Sequence, residues 1–523
     1  MHLQSIIIKT AAYLHGLIQL FISGMVRFTL CLLLVCLLYS CATSNKNYNP
    51  DKKFSRQQLQ QDYTLLKNIL EKKHPALYWY TSKDSMNFYF DSLQNAIADS
   101  MTELQFGWQV LAPLTQKIHC GHTSFGMSKQ WNKFTSNKRI PSFPLFVKVW
   151  GDTMIVTGNL DKKDPIIKNG TLITSINGIS NHQLVQQMFQ YLPLDGYADN
   201  VNYIRLSANF PYFHRNIFGI FKNYRVGYID STGAEKTTLL PMWVPPPADT
   251  GKKKKLVPLV KISKRELKKE RRESYRSLVI DSKNSTATMS LNTFSTGGGR
   301  RLRSFIKKSF KKIKQQQINN FILDLRSNGG GEINMFTLLA KYIRKQPFKV
   351  ADTAYAVSKS LSPYTKYISE GLLTNIGLFF FTKKRKDGNY HFGLYERKFY
   401  KPKNRNHFDG KVYVLINGPT FSASTLFCNA VKGQSNVTLV GEETGGGWHG
   451  NNGIMIPDIV LPHTKLRVRL PVFKLVQYNH VPKDGRGVQP DIFIPPIADA
   501  VKKGIDRKME MVKAMIKSGQ DKK

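Results

Sequence analysis

Lys411–Gly447 reads KVYVLINGPTFSASTLFCNAVKGQSNVTLVGEETGGG. Its first six residues are an apolar run that predicts a buried strand, and the following Asn-Gly-Pro ends that strand. From Thr420 the spacing of apolar residues becomes helical, which places Ser422 and Ser424 at or just inside a helix N-terminus. Unpaired backbone N–H groups and the helix dipole favour negative charge there. The segment predicts an exposed nucleophilic serine, although serines at such positions also serve simply as helix caps.

A second glycine-rich turn follows another apolar strand, and Asn320–Gly331 reads NFILDLRSNGGG. Backbone N–H groups in such a turn can approach a substrate closely because glycine has no Cβ. The N–H groups of Gly329, Gly330 and Ala423 are therefore predicted to bind a developing oxyanion. An ordinary strand-to-helix turn is the alternative interpretation. Asp324 and Arg326 at the end of the strand are predicted to be structural.

The motifs FILDLRSNGGG, NGPTFSAS and VGEETGGG, in this order, resemble the serine peptidase family of the tail-specific (C-terminal processing) proteases and the tricorn core protease. The resemblance implies a multidomain α/β fold: an N-terminal helical region, a PDZ-like β domain and a ClpP/crotonase-like α/β catalytic core. It also implies that Ser422 is the nucleophile, since the family serine lies nineteen residues before the glycine of VGE, here Gly441.

The same resemblance implies which residues are the catalytic base and the acid. One branch of the family uses a lysine just beyond VGE, but the matching position is Gly447, so that lysine is absent. The tricorn-like branch instead uses a histidine in a motif similar to CGHT, which implies His122 as the base. An imidazole suits this role near neutral pH. The C-terminal motif GxGVxPD is matched by KDGRGVQPD, which implies Asp484 as the acid. Many relatives have the longer glutamate there.

Changes of pattern along the chain divide it into six predicted parts. They are a signal or lipoprotein segment (1–41), a helical region that carries the base (54–135), a PDZ-like domain with one helical stretch in it (140–240), a basic linker or insertion (245–273), the peptidase core (275–497) and a basic C-terminal tail (498–523).

The N-terminal segment contains the apolar run 28–38 followed by Tyr39, Ser40 and Cys41. This order is typical of a secretory signal. It resembles the lipobox of bacterial lipoproteins, which implies a lipid on Cys41 and a place in the cell envelope, at the periplasmic or outer-membrane face. A plain signal peptide or an uncleaved anchor helix is the alternative. Only Cys120 and Cys428 lie in the body of the chain, so no disulfide framework is predicted.

The net charge of +42 raises the question of nucleic-acid binding. The lysines are spread over most segments without the aromatic and glycine pattern of a single-strand-binding sheet, so no nucleic-acid partner is expected. His119, Cys120 and His122 suggest a zinc site as an alternative, but no distant ligand pair completes it, so no metal or cofactor is expected. The expected partners are a peptide or protein substrate and the membrane that holds the lipid anchor. The sequence gives no oligomeric state.

The leading hypothesis is therefore a serine-type endopeptidase of the cell envelope. A catalytically inactive, peptide-binding envelope lipoprotein of the same fold is the alternative from another class. Its support comes from departures from the family pattern, namely Gly121 where tricorn has a serine, Asp484 where relatives have glutamate, and Thr425 where many relatives have glutamate.

Overall fold

The computed structural model describes residues 48–136, 138–246, 263–478 and 480–520. Cys41 and the predicted signal segment lie outside these residues. The chain divides into two units, Met1–Asn49 and Pro50–Lys523, and the helices and strands of the described residues lie in the second. Within the described residues, no helix has the length and apolar character needed to cross a membrane.

The second unit contains helices along its whole length, and a π-helical turn at Gly107–Leu111 joins α3 to α4. The α-helices are α1 (Arg56–Lys73), α2 (Lys83–Asn95), α3 (Glu103–Phe106), α4 (Ala112–Lys117), α5 (Lys129–Thr135), α6 (Asn181–Phe189), α7 (Asn200–Ala208), α8 (Phe210–Phe218), α9 (Lys264–Glu273), α10 (Leu302–Gln315), α11 (Ile333–Ala340), α12 (Gly371–Phe381), α13 (Gly393–Arg397), α14 (Ala423–Val431), α15 (Ala498–Lys503) and α16 (Arg507–Gln520).

The strands form several sheets. They are β1 (Lys53–Ser55), β2 (Ser100–Thr102), β3 (Phe125–Gly126), β4 (Leu145–Trp150), β5 (Thr153–Asn159), β6 (Leu172–Ile176), β7 (Ile179–Ser180), β8 (Asn223–Ile229), β9 (Glu235–Pro241), β10 (Arg276–Asp281), β11 (Thr286–Leu291), β12 (Asn320–Asp324), β13 (Ala351–Ala356), β14 (Lys383–Lys384), β15 (Tyr390–His391), β16 (Lys411–Ile416), β17 (Val437–Gly441), β18 (Gly450–Gly453), β19 (Asp458–Val460), β20 (Arg467–Arg469), β21 (Phe473–Gln477) and β22 (Ile492–Phe493).

The central sheet has the order β10-β11-β12-β16-β17-β22 and is parallel except for β10. Strands β12 and β16 are almost wholly buried, as continuous apolar strands covered on both faces should be. They are neighbours in register, with Asp324 opposite Leu415, so their carboxyl ends lie side by side. The glycine turn after β12 and the serine turn after β16 therefore meet at one edge of the sheet, where open α/β sheets bind their ligands.

The predicted fold class, a multidomain α/β protein, is confirmed. A second sheet, β4-β5-β6-β8-β9 with β7 beside β6, has a hydrophobic core of its own in the region expected to be PDZ-like. The expectation of one helical stretch there is wrong, because α6, α7 and α8 all lie in it. Buried residues of α7 and α8 such as Leu206 and Phe210 complete this core, which explains their apolar spacing.

Helix α7 lies against β4, an edge strand of this second sheet. The N–H of Val149 in β4 donates to the hydroxyl of Ser207 in α7, at 2.9 Å. That hydroxyl is also 3.4 Å from the carbonyl oxygen of Val149. The Ser207 hydroxyl of this helix therefore occupies the N–H and carbonyl groups of Val149. An added peptide strand would need such groups for pairing with β4.

The N-terminal helical region is joined to the predicted core (275–497) by backbone pairing. Strand β3 pairs with β20, with Phe125 opposite Val468. The buried carboxylate of Asp62 in α1 accepts hydrogen bonds from the N–H groups of His463 and Thr464. Because the CGHT sequence immediately precedes β3, these contacts fix it against the core.

The segment predicted as a basic tail contains α15 and α16. Val512 and Ile516 of α16 are buried against the face of the central sheet opposite α10 and α14. Arg326, predicted to be structural, forms ion pairs with Asp324 and with Asp506, both at 2.7 Å.

Candidate active site

Ser422 occupies the turn between β16 and α14. Its backbone torsions are φ 55° and ψ −122°, a combination outside the regions that residues with a Cβ normally adopt. It stands at the N-cap position of α14, yet its side chain forms no capping hydrogen bond. The hydroxyls of its neighbours are directed elsewhere: Thr420 donates to the carbonyl of Leu325, and the Ser424 hydroxyl is buried without a partner among the described residues. Ser422 is thus a strained serine with a hydroxyl that is not used as a cap.

His122 lies in the same cleft as Ser422. Its ring is buried and packs against the ring of Phe421, with centroids 4.7 Å apart. The residue before it must be small, because a Cβ on Gly121 would lie 2.6 Å from the Phe421 ring. A serine at 121, as in tricorn, would therefore meet this ring.

The His122 ring has no hydrogen bond to Ser422 among the described residues, and its Nδ1 is buried without a partner there. Burial and, to a smaller extent, the positive charges of Arg469 and Arg205 together lower the pKa of His122 to about 3. The imidazole is consequently neutral near neutral pH, which is the form that can accept a proton.

The acidic group beside His122 is Asp195, which the sequence analysis did not single out. A carboxylate oxygen of Asp195, a ring nitrogen of His122 and the Sγ of Cys120 lie within 4.8 Å of one another. One carboxylate oxygen accepts the N–H of Gly121 at 2.7 Å, and the other accepts the N–H of Gly447 at 3.4 Å. Burial raises the pKa of Asp195 to about 7, while these two N–H groups and the nearby Arg205 favour the ionised form.

The loop that carries Asp195 is held from both sides. On one side Gly196 exchanges two hydrogen bonds with His119: its N–H donates to the His119 carbonyl, and its own carbonyl lies 2.7 Å from His119 Nδ1. On the other side the N–H of Tyr197 donates to the carbonyl of Gly485. The approach is close enough that a Cβ on Gly196 would lie 2.4 Å from that carbonyl oxygen. The loop therefore joins the CGHT segment to the KDGRG segment.

Asp484, the acid implied by the family resemblance, is not among the residues that line the cleft. It is exposed, and its carboxylate accepts the N–H of Arg486 two residues further on. Arg486 in turn pairs with Glu443 and donates to the carbonyl of Tyr197. In this structure the KDGRG segment supports the Asp195 loop without bringing its own aspartate to His122.

Gly447 stands where the other branch of the family has its lysine, and it interacts through its backbone. Its N–H faces Asp195 and its carbonyl accepts a hydrogen bond from Gln477. A Cβ at this position would lie 2.6 Å from the carbonyl oxygen of Gly450. The backbone at 447 thus contacts the carboxylate beside the histidine, and a side chain there would be crowded.

Two of the three predicted oxyanion donors are free. Among the described residues, neither the N–H of Gly329 nor that of Ala423 donates a backbone or side-chain hydrogen bond. The N–H of Gly330, by contrast, donates to the side-chain oxygen of Asn328 at 2.9 Å, so it is occupied. Gly330 is needed for another reason, since a Cβ on it would lie 2.8 Å from the Cβ of Ser422. Asn328 also accepts the N–H of Phe421, which ties the glycine turn to the serine turn.

These residues line a cleft of about 750 Å³. Its walls are partly apolar, with Ile454, Ile456 and Leu475 among them, while Arg205 and Arg469 lie towards an adjoining cavity that both arginines also line. The cleft is large enough for several residues of an extended peptide.

The possible metal ligands in the structure differ from the set suggested by the sequence, which is His119, Cys120 and His122. His119 Nδ1 bonds to the carbonyl of Gly196, and the potential metal-holding group within the described residues is Cys120, His122 and Asp195. Burial raises the pKa of the Cys120 thiol to about 11, and Asn452 donates a hydrogen bond to its sulfur. The thiol is therefore protonated at neutral pH, and a metal ion bound there would have to displace this proton.

Sequence reasoning missed Asp195, the Phe421 ring and the two arginines of the cleft. Asp195 lies in LDGYADN, where Asp-Gly is a common turn signal and nothing marks a catalytic group. Its position beside His122 results from the packing of three distant segments around it.

Comparison with known proteins agrees with this architecture. Residues 285–494 match the family model described as Peptidase family S41. The crystal structure of mature CPAF is similar, with 14% sequence identity, a TM-score of 0.59, and coverage of 88% of this chain and 98% of that one. Mature CPAF complexed with lactacystin gives 14% identity, a TM-score of 0.58, and coverage of 88% and 99%.

The tricorn protease is also similar, with 13% identity, a TM-score of 0.35, and coverage of 88% of this chain and 37% of that one. No curated protein sequence matches the chain significantly. The likeness to mature CPAF shows a shared fold. The motifs of the core and the match over residues 285–494 show that this part of the chain is a peptidase family S41 domain.

Proposed function

We propose that the protein is a serine-type endopeptidase in which Ser422 is the nucleophile, His122 the general base and Asp195 the acid that positions the histidine. The observation that carries the proposal is the strained Ser422, whose hydroxyl is not used as a cap, in one cleft with a buried histidine that has a carboxylate beside it. The match of residues 285–494 to a peptidase family supports a peptide or protein as the substrate.

In the proposed reaction, the Ser422 hydroxyl attacks the carbonyl carbon of the scissile peptide bond while its proton passes to His122. The tetrahedral intermediate carries its negative charge on the former carbonyl oxygen. His122 then returns the proton to the leaving amine, which gives an acyl-enzyme. In the second half of the reaction, water deprotonated by His122 attacks the acyl-enzyme. His122 then gives this proton to the departing Ser422 oxygen, which releases the acid product and regenerates the hydroxyl. In the structure described here His122 is not bonded to Ser422, and such contacts often form only when substrate binds.

The N–H groups of Gly329 and Ala423 are proposed to bind the oxyanion. Both are free, and the close approach of Gly330 to Ser422 brings the glycine turn against the N-terminus of α14. A donor of this kind typically stabilises the transition state by about 3 kcal/mol. The N-terminus of α14 adds a favourable dipole at the same place.

Asp195 is proposed as the acid in preference to Asp484. Its carboxylate is buried near the imidazole, whereas the carboxylate of Asp484 is exposed and bonded within its own turn. A carboxylate beside His122 would hold one tautomer of the ring and stabilise the imidazolium formed during proton transfer. Cys120 lies in the same cluster as a protonated thiol and is not assigned a chemical step.

The location is proposed to be the cell envelope, with the chain attached through a lipid on Cys41. The support is the order of residues around Cys41. Metabolic labelling with a radioactive fatty acid tests this. Label is expected in the wild type and absent in Cys41→Ala, with equal labelling of both proteins as the contrary result.

Exchange of the nucleophile should abolish reaction with a fluorophosphonate probe. Ser422→Ala is expected to lose both probe labelling and peptide hydrolysis, because no other hydroxyl of this turn faces the cleft. Ser424→Ala is the matched control two residues away, and it should keep both activities since its hydroxyl is buried. In-gel fluorescence with a fluorophosphonate dye measures the outcome. Undiminished labelling of Ser422→Ala would contradict the assignment, and no labelling of the wild type would favour the inactive peptide-binding alternative.

Exchange of the two candidate acids separates their roles. Asp195→Asn keeps an oxygen that can accept the Gly121 N–H but removes the charge beside His122, so kcat should fall by about 10³- to 10⁴-fold. Asp484→Asn, an exposed change in the adjoining segment, should leave kcat nearly unchanged. Steady-state hydrolysis of a fluorogenic peptide measures both, with circular dichroism as the test of folding. The reverse ranking would assign the acid to Asp484.

The pH dependence of kcat/KM should report the electrostatic environment of His122. Burial and two nearby arginines lower the pKa of His122, but burial raises the pKa of the adjacent Asp195 to about 7, so activity should fall as the pH drops through about 7 and the pair takes up one proton. Arg469→Gln removes a positive charge that opposes proton uptake by the pair, so the acidic limb should move to higher pH. Lys465→Gln removes an exposed charge outside the cleft and should leave the limb in place. An acidic limb that does not move in Arg469→Gln counts against His122 as the base.

A further inference from the structure

Helix α12 turns large apolar side chains towards solvent. Leu372, Leu373, Ile376, Phe379 and Phe380 are between 46% and 73% exposed, and the helix contains no charged residue. At 100° per residue these five positions fall on one arc of about 120°. They form a continuous apolar face, which we name the α12 face.

The opposite side of the helix is buried, and most of its buried residues are small. These buried residues are Gly371, Thr374, Gly377 and Leu378. Gly377 lies so close to Met455 that a Cβ on it would be 2.3 Å from the terminal methyl carbon. A surface helix normally directs its apolar stripe into the core. Here three small residues and Leu378 fix the helix to the protein while five larger apolar residues are left outside, a pattern that marks an interaction surface.

Positive charge surrounds the α12 face. Lys359 lies over the Phe379 ring, with its Nζ 4.2 Å from the centroid. Directly after the helix come the exposed residues Lys383, Lys384, Arg385 and Lys386. Arg385 pairs with Glu396. The exposed acids near the two ends of the helix are Glu370 and Asp387, so cations are in excess at the rim.

The apolar face and its basic rim together favour one of two possible binding partners, a second copy of the chain or a bilayer. A second copy of the chain would bring another net charge of +42 against a basic rim, which opposes association. A bilayer surface that contains anionic lipid offers the complementary charge together with an apolar interior. The helix has eleven residues, too few to span a bilayer, but enough to lie in the headgroup region with one face immersed.

We propose that the α12 face and its basic rim form a membrane-docking surface that inserts into the headgroup region of an anionic bilayer. The phenylalanine and leucine side chains enter the boundary with the acyl chains, and the lysines remain at the level of the phosphates. This contact is separate from the lipid proposed on Cys41 and does not depend on the peptidase activity. Because Met455 lies between two residues of the cleft wall, Ile454 and Ile456, docking would place the cleft close to the membrane surface.

The test measures the depth of a fluorophore at two exposed phenylalanine positions in the full chain. Phe380→Cys and Phe88→Cys are labelled with an environment-sensitive dye; Phe88 is a comparably exposed residue of α2. The wild type, treated identically, provides the background from its own cysteines. Each protein is reconstituted with phosphatidylcholine vesicles and with vesicles in which about a third of the lipid is phosphatidylglycerol. Lipids brominated on the acyl chain serve as the quencher.

Dye at 380 should shift to the blue and be quenched by brominated lipid in the anionic vesicles, more weakly so at high salt. Dye at 88 should remain in water. Adding Leu372→Gln, Leu373→Gln and Ile376→Gln to Phe380→Cys should reduce quenching to the level at 88, and unchanged thermal unfolding would show that the fold is intact. A dye at 380 that stays in water on anionic vesicles overturns the proposal. So does a blue shift without lipid that grows with protein concentration, which would assign the face to a second copy.

Discussion

The candidate site depends on one buried carboxylate. Asp195 accepts the backbone N–H of Gly121 from the N-terminal region and faces that of Gly447 from the core, although it belongs to the PDZ-like region itself. Three segments that are far apart in sequence are joined at this group. Buried carboxylates are stable when their oxygens receive such hydrogen bonds, and an uncompensated one would be costly. The position of His122 relative to Ser422 is therefore tied to the packing of all three parts.

Close backbone approach makes this arrangement possible. Gly121 leaves room for the Phe421 ring, Gly196 for the carbonyl of Gly485, and Gly330 for Ser422. Each of these glycines serves as a contact between segments as well as a turn. The KDGRG segment also stabilises this arrangement, because Gly485 and Arg486 form hydrogen bonds with the loop that carries Asp195. The motif that implied Asp484 as the acid thus supports the Asp195 loop through its glycine and arginine.

The sequence predicted what depends on local pattern. The strand and turn around Ser422, the glycine turn after β12 and the CGHT segment are continuous motifs, and the α/β fold class followed from them. Asp195 could not be found in this way because its role comes from tertiary packing around an ordinary Asp-Gly turn. The N–H of Gly330 was predicted to be free, but the side chain of Asn328 two residues earlier binds it. The orientation of α12 was equally inaccessible, because an apolar helix gives no sign of which face it buries.

The backbone of Ser422 has a consequence for the evolution of the protein. A residue with a Cβ held at φ 55° and ψ −122° is strained by about 1–3 kcal/mol, whereas glycine reaches such torsions with little strain. A change to glycine would therefore relieve this strain. The strain opposes retention of a serine at this position, and the role proposed for Ser422 as nucleophile accounts for its presence.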